Sequence, residues 1–206
     1  INDDDAACTR NLGTINIVAP AGQPTVTASA SPTTICAGGS TTLSAVASGG
    51  NGPVPTYVFQ SATGGTLADM SGATVLLGAG FDDSVSGSTA MGFSFNYGAA
   101  PYTTFFASSN GQLTLGAAGN ASLGNSLATG TPRPLITCWW DDLHTGSDGW
   151  VQTKLFGSPG SYIRVVEWKV RDYPGSGLAT TMLKQAWLYQ RGVIELRYGP
   201  STGVSD

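Results

Sequence analysis

Residues 92–115 read GFSFNYGAAPYTTFFASSNGQLTL, and this stretch sets the fold class. Phe93, Phe95 and Tyr97 alternate with Ser94 and Asn96, so the three rings share one face of a half-buried strand. Tyr102 to Ser108 forms a second strand. Asn110-Gly111 then stands before Gln112-Leu113-Thr114-Leu115, and an Asn-Gly pair is the strongest short-range hairpin signal because both residues tolerate positive φ. Two antiparallel strands joined by a tight turn follow.

The same pattern continues outward. An apolar run at 135–140 (Leu-Ile-Thr-Cys-Trp-Trp) ends at Asp141-Asp142, and further strands are predicted at 149–156, 161–170, 182–190 and 193–198. Gly157-Ser158-Pro159-Gly160 and Arg191-Gly192 supply turns between them. No window of helical length carries an amphipathic repeat. Strand follows strand, so the predicted fold is all-β: antiparallel sheets stacked as a sandwich or jelly roll.

Upstream, Ala19-Pro20-Ala21-Gly22 is a turn-rich hinge, and Ser48-Gly49-Gly50-Asn51-Gly52-Pro53 is a second break. Three segments result: an N-terminal arm over 1–23, a partial module or linker over 24–56, and the sandwich over 57–206. The phrasing of Ser31-Pro32-Thr33-Thr34-Ile35-Cys36-Ala37-Gly38-Gly39-Ser40-Thr41-Thr42-Leu43 resembles the opening strands of bacterial immunoglobulin-like repeats.

Composition narrows the function. The chain has 206 residues, 29 of them glycine, with only 11% charged residues and a net charge of −4. Nine scattered Lys and Arg give no basic footprint, which argues against nucleic acid and anionic membrane as partners. No apolar run approaches the length of a membrane span, and Ile1–Asp5 lacks the features of a signal peptide, so a soluble, mature or trimmed chain is expected.

The order of Gly92-Phe93-Ser94-Phe95, Tyr102-Thr103-Thr104-Phe105, Ser108-Ser109-Asn110-Gly111, Trp140-Asp141-Asp142-Leu143, Val166-Glu167-Trp168-Lys169 and Ile194-Glu195-Leu196-Arg197-Tyr198-Gly199 resembles a β-sandwich repeat of large type IX-secreted bacterial surface proteins. It is more distantly similar to the extracellular nidogen-type domain. The resemblance covers about residues 57–200. It implies exposure at the bacterial cell surface and a role as an adhesin, matrix or filament component, with other modules or copies of itself as partners. It supplies no catalytic residues.

Candidate sites are few. Asp141, Asp142 and Asp148 lie in the densest polar cluster, with His144 between them. Their hard oxygens suit calcium, which would be the only cofactor, although the spacing lacks the EF-hand pattern. The competing reading is a solvated turn whose carboxylates cap backbone N–H groups. His144 is the only histidine and no Gly-x-Ser-x-Gly elbow is present, so triad catalysis has no frame. Asp141 and Asp142, adjacent on a strand, point to opposite faces and cannot flank one glycosidic bond. The chain is therefore expected not to be an enzyme.

Among five tryptophans, most belong in the core. Trp139 and Trp150 are the expected exposed rings, on which surface glycans can stack, making a carbohydrate-binding module the alternative function. Of the three cysteines, Cys8 and Cys36 are a candidate disulfide, whereas Cys138 reads as a small core residue. Asn120-Ala121-Ser122 fits an N-glycosylation pattern. Asp83-Ser84-Val85 resembles the acidic-Ser/Thr-apolar motif that carries O-linked glycans in the bacteria of that family, making Ser84 a second candidate.

Overall fold

The computed structural model describes residues 25–31, 42–48, 57–98, 100–122, 124, 126, 132–173 and 181–202. The chain divides into two compact units, Ile1–Gly52 and Pro53–Asp206. In the first, β1 (Thr25–Ser31) and β2 (Thr42–Ser48) pair antiparallel from Thr25↔Ser48 to Ser31↔Thr42. The expected arm over 1–23, Cys8 and Cys36 lie outside the described residues.

The second unit is all-β, and no helix among the described residues is long and apolar enough to cross a membrane. Its strands are β3 (Thr74–Leu77), β4 (Thr89–Tyr97), β5 (Ala100–Ala107), β6 (Gln112–Leu115), β7 (Leu135–Thr137), β8 (Leu143–His144), β9 (Trp150–Phe156), β10 (Ile163–Asp172), β11 (Thr181–Tyr189) and β12 (Ile194–Thr202). One sheet has the order β12-β11-β10-β9-β3, with the short β8 also on β10; the other has the order β4-β5-β6-β7. Every pairing is antiparallel. The expected sandwich is what forms.

Alternation explains how the sheets face each other. Phe93 and Phe95 of β4, Phe105 and Ala107 of β5, and Leu113 and Leu115 of β6 meet Val151, Val166, Trp168, Val170, Ala186 and Leu188 in one apolar core. The rings at 93 and 95 are buried as the alternation predicts, and Tyr97 packs at the margin. Trp168 spans the layers, its indole Nε1 donating to the carbonyl of Ser108 at 2.8 Å. Arg164 does the same at the rim, its Nε donating to the Met91 carbonyl at 2.9 Å.

Two local expectations change. The hairpin between β5 and β6 forms with the pairs Phe105↔Leu115 and Ala107↔Leu113, but only Gly111 takes positive φ, at 76°. Ser108 N donates to the Gln112 carbonyl, so the loop has three residues and ends on a left-handed glycine, the second common hairpin type. The strand expected over 135–140 stops at Thr137. Cys138 N donates to the Gly111 carbonyl at 3.0 Å, which turns the chain off the sheet toward the hairpin tip. Trp139 and Trp140 still face opposite ways: Trp139 is 42% exposed and Trp140 8%. Cys138 is a free buried thiol, and burial pushes its pKa up to about 12.

A strap, residues 66–71, crosses the outer face of the larger sheet. Arg197 of β12 donates to the Thr66 carbonyl. Gln185 of β11 accepts from Ala68 N at 2.8 Å and donates to Ala68 O at 3.1 Å. Lys154 of β9 reaches the Ser71 carbonyl at 2.7 Å. Glu167 and Gln185 are consequently buried in the outer layer. The Glu167 carboxylate accepts from Trp150 Nε1, Gln152 Nε2 and Gln185 Nε2 at 3.1, 2.6 and 2.7 Å, and these donors offset the desolvation of its charge.

Lys184 breaks the apolar pattern of the inner layer. It pairs in register with Trp168, sits between Met182 and Ala186, and is buried. Its Nζ meets Met182 Sδ at 3.0 Å and lies 3.9 Å from the centre of the Trp139 ring. Burial is the main cause that lowers its pKa, to about 8. The unfolded chain therefore holds this proton more tightly, and the cost of burying the cation, full below pH 8, fades as pH rises from about 8 toward the ordinary lysine value of 10.5. Lys184→Met is expected to raise stability at pH 7 by on the order of 1–2 kcal/mol, after allowance for water that still reaches the amine. The gain should shrink between pH 8 and 10; chemical denaturation across that range checks it, and a pH-independent gain contradicts the assignment.

Candidate functional site

Two surfaces of the second unit gather candidate functional side chains. The first is an acidic corner where the 81–86 segment meets the chain leaving β7. An isolated bridge pairs Asp82 with His144, and Ser84 N donates to Ser109 Oγ at 3.1 Å. Asn110, fully buried at the hairpin tip, organises the corner. Its Nδ2 donates to Asp83 Oδ1 at 2.9 Å and to the Ala121 carbonyl at 2.8 Å, and its Oδ1 accepts from Leu143 N at 2.9 Å. Asp83 is held at φ 43°, a left-handed conformation that Asp tolerates better than most residues.

Carboxylate oxygens of Asp82, Asp83 and Asp142 lie within 4.8 Å of one another. Burial, and then the charges of Asp83, Asp82 and Asp141, push the Asp142 carboxyl above its ordinary value. The residues expected to act together thus divide. Asp142 joins Asp82 and Asp83, which are remote in sequence. Asp148 instead pairs with Lys169 Nζ at 2.9 Å and with Arg171, which together hold its carboxyl below the usual range. Asp141 is exposed, with its Oδ1 accepting from Asp142 N at 2.9 Å. His144 is committed to structure: its Nε2 lies 3.0 Å from the Asp172 carbonyl, and its ring meets Tyr173 edge-on.

Ser84 is partly exposed and its hydroxyl donates to the Asp82 carbonyl at 2.7 Å. Asn120 accepts from Ser122 N at 2.8 Å through its side-chain oxygen, an Asx turn.

The second surface is the outer face of the larger sheet, beyond the strap. Ile163 pairs in register with Phe156 on one side and Tyr189 on the other, and Val165 pairs with Trp187. Register therefore brings Phe156, Trp187 and Tyr189 into one row. Phe156 and Trp187 lie 6.5 Å apart between centroids and are nearly parallel, and Trp187 and Tyr189 lie 6.3 Å apart. Each ring carries a cation: Lys154 5.0 Å from Phe156, Arg197 3.5 Å from Trp187, and Arg191 5.9 Å from Tyr189. Glu195 anchors the row by accepting from Tyr189 OH at 2.7 Å and from Arg197 at 2.8 and 3.0 Å. Burial and this carboxylate raise the Tyr189 hydroxyl pKa, so the phenol stays protonated and a donor.

The two tryptophans expected as exposed rings are not brought together. Trp150 is half-buried on the outer face, bonded to Glu167 and covered by Lys169 at 4.8 Å. Trp139 instead packs over Lys184, a residue of the inner layer. The outer row is not legible in the sequence because its members come from β9 and β11, whose register through β10 is not written in any local pattern. The only local trace is Trp187-Leu188-Tyr189, an alternation that puts two rings on one face.

A protein-family model described as NIDO related matches residues 56–206, most of the chain and nearly all of the second unit. No curated protein and no solved structure matches.

Proposed function

Because the chain belongs to the NIDO-related family, a family of extracellular modules, over residues 56–206, we propose that it is a secreted adhesive or structural module of the bacterial cell surface. Its partners in this reading are neighbouring modules of a larger type IX-secreted protein or further copies of itself, in a filament or matrix. Family membership is the observation that carries the reading. The sandwich suits it, because two sheets with one shared core leave a broad outer face free for contact. The role is binding and spacing, without catalysis.

The second reading is a carbohydrate-binding module, and a specific feature favours it: the row Phe156, Trp187, Tyr189 with its cations. Rings of this kind offer contact area at little entropic cost.

Negative-stain imaging of the chain, beside its mass in solution and its retention on cell surfaces, tests the first reading. Ordered assemblies or specific retention support it; a monomer inert toward both sinks it.

A further inference from the structure

At the end of the aromatic row, the turn after β9 and the turn after β11 enclose a cleft of about 210 Å³ lined by Tyr162, Ile163, Tyr189, Gln190 and Arg191. This volume is below the range of about 300–1,000 Å³ for drug-sized ligands. It suits one sugar ring at the end of a longer chain.

The free groups of the cleft are donors. Gln190 Oε1 already accepts from Gly160 N at 3.0 Å and Tyr162 N at 3.2 Å, and the Tyr162 carbonyl accepts from Gln190 N at 2.8 Å. Gln190 Nε2 has no partner among the described residues, and no described carboxylate pairs with Arg191, whose guanidinium stands 5.9 Å from the centre of the Tyr189 ring. An exposed guanidinium fork with a neighbouring amide matches an acceptor-only anion. Outward along the row come Arg197 and Lys154, with Glu195 the one carboxylate among the described residues that contacts these groups. A protein of net charge −4 thus sets three cations beside three rings.

We propose that this cleft and the adjoining Tyr189-Trp187-Phe156 row bind an anionic polysaccharide, with Arg191 gripping the carboxylate or sulfate of one sugar and the cation-bearing row meeting its neighbours. The inference rests on the carbohydrate-binding reading and names its ligand class. Arg191 selects charge through paired N–H donors, while ring stacking is indifferent to it.

The test titrates the whole chain with polygalacturonate, heparin and neutral dextran at low salt. Binding to an anionic polymer and not to dextran is expected, weakening as salt rises. Polygalacturonate alone identifies carboxylate as the anion, and heparin alone identifies sulfate. Arg191→Glu and the milder Arg191→Gln should each weaken that binding by about tenfold or more, whereas Lys169→Glu, the same charge change at the Asp148 pair, should not. Equal binding of dextran, no binding of either anionic polymer, or equal loss in Arg191→Glu and Lys169→Glu overturns the proposal. Failure of the polymer titrations, with cell-surface retention that survives in Arg191→Glu, removes this ligand class and leaves the surface-module reading standing.

Discussion

Trp168→Ala is expected to destabilise the sandwich by about 3–5 kcal/mol, the range for removing a large buried aromatic. Trp168 is the largest of the fully buried side chains, 1% exposed, and lies at the centre of the widest sheet, between Val151 of β9 and Lys184 of β11. Its loss opens a cavity between the layers and strands the Ser108 carbonyl, which now accepts from the indole. Trp168→Phe separates the two effects in part: it fills most of the cavity but loses the hydrogen bond and leaves a smaller void, at about 1–3 kcal/mol. Urea unfolding gives both numbers. A loss below about 1 kcal/mol for the alanine variant would mean that the two sheets do not share this core.

Gly111→Ala is the second large effect, and its cause is backbone geometry. At φ 76° a side chain is strained, costing about 1–2 kcal/mol. An added Cβ would also stand 1.8 Å from the Trp139 carbonyl oxygen, and the clash falls on backbone, which cannot rotate away. Overpacking of this kind adds about 1–3 kcal/mol. The chain after β7 would have to lift off the hairpin, loosening the Cys138–Gly111 hydrogen bond and moving Trp139 from Lys184. The check is a thermal melt read together with Trp fluorescence. An unchanged melting temperature would show that the hairpin tip and the 138–140 segment do not touch.

What could be read from the chain alone follows the range of each interaction. The β5–β6 hairpin was legible because alternation and the Asn-Gly signal lie within a few residues. The strands from 149 to 198 were legible for the same reason, to within a few residues at their ends. β3 and β8 were not: Thr74–Leu77 and Leu143–His144 are short and take their identity from partners on β9 and β10. Lys184 was invisible as a buried cation because Met182 to Tyr189 carries apolar residues on both faces, so no pattern says which face is inner. Density in sequence joined Asp148 to Asp141 and Asp142, yet Asp148 stands just before β9, within reach of Lys169 and Arg171 across the β9–β10 pair. The partners that Asp142 does have, Asp82 and Asp83, reach it through the Asp82↔His144 bridge, a long-range contact.

The strand order also decides how this unit would respond to force. Successive antiparallel pairings along β12-β11-β10-β9-β3 make β3 and β12 run in the same direction on opposite edges. Thr74, where β3 begins, and Thr202, where β12 ends, therefore point to opposite ends of the sheet. Tension entering upstream meets the strap first, and its few contacts with Arg197, Gln185 and Lys154 yield one after another. Once the strap is straightened, the pull runs largely along the strands, so the ladder hydrogen bonds are sheared together instead of unzipped singly. Single-molecule stretching should show a small early extension followed by one high-force rupture, and an unzipping plateau would contradict this geometry. A unit connected this way gives a little slack and then holds, a mechanical property set by strand order and the strap's few contacts.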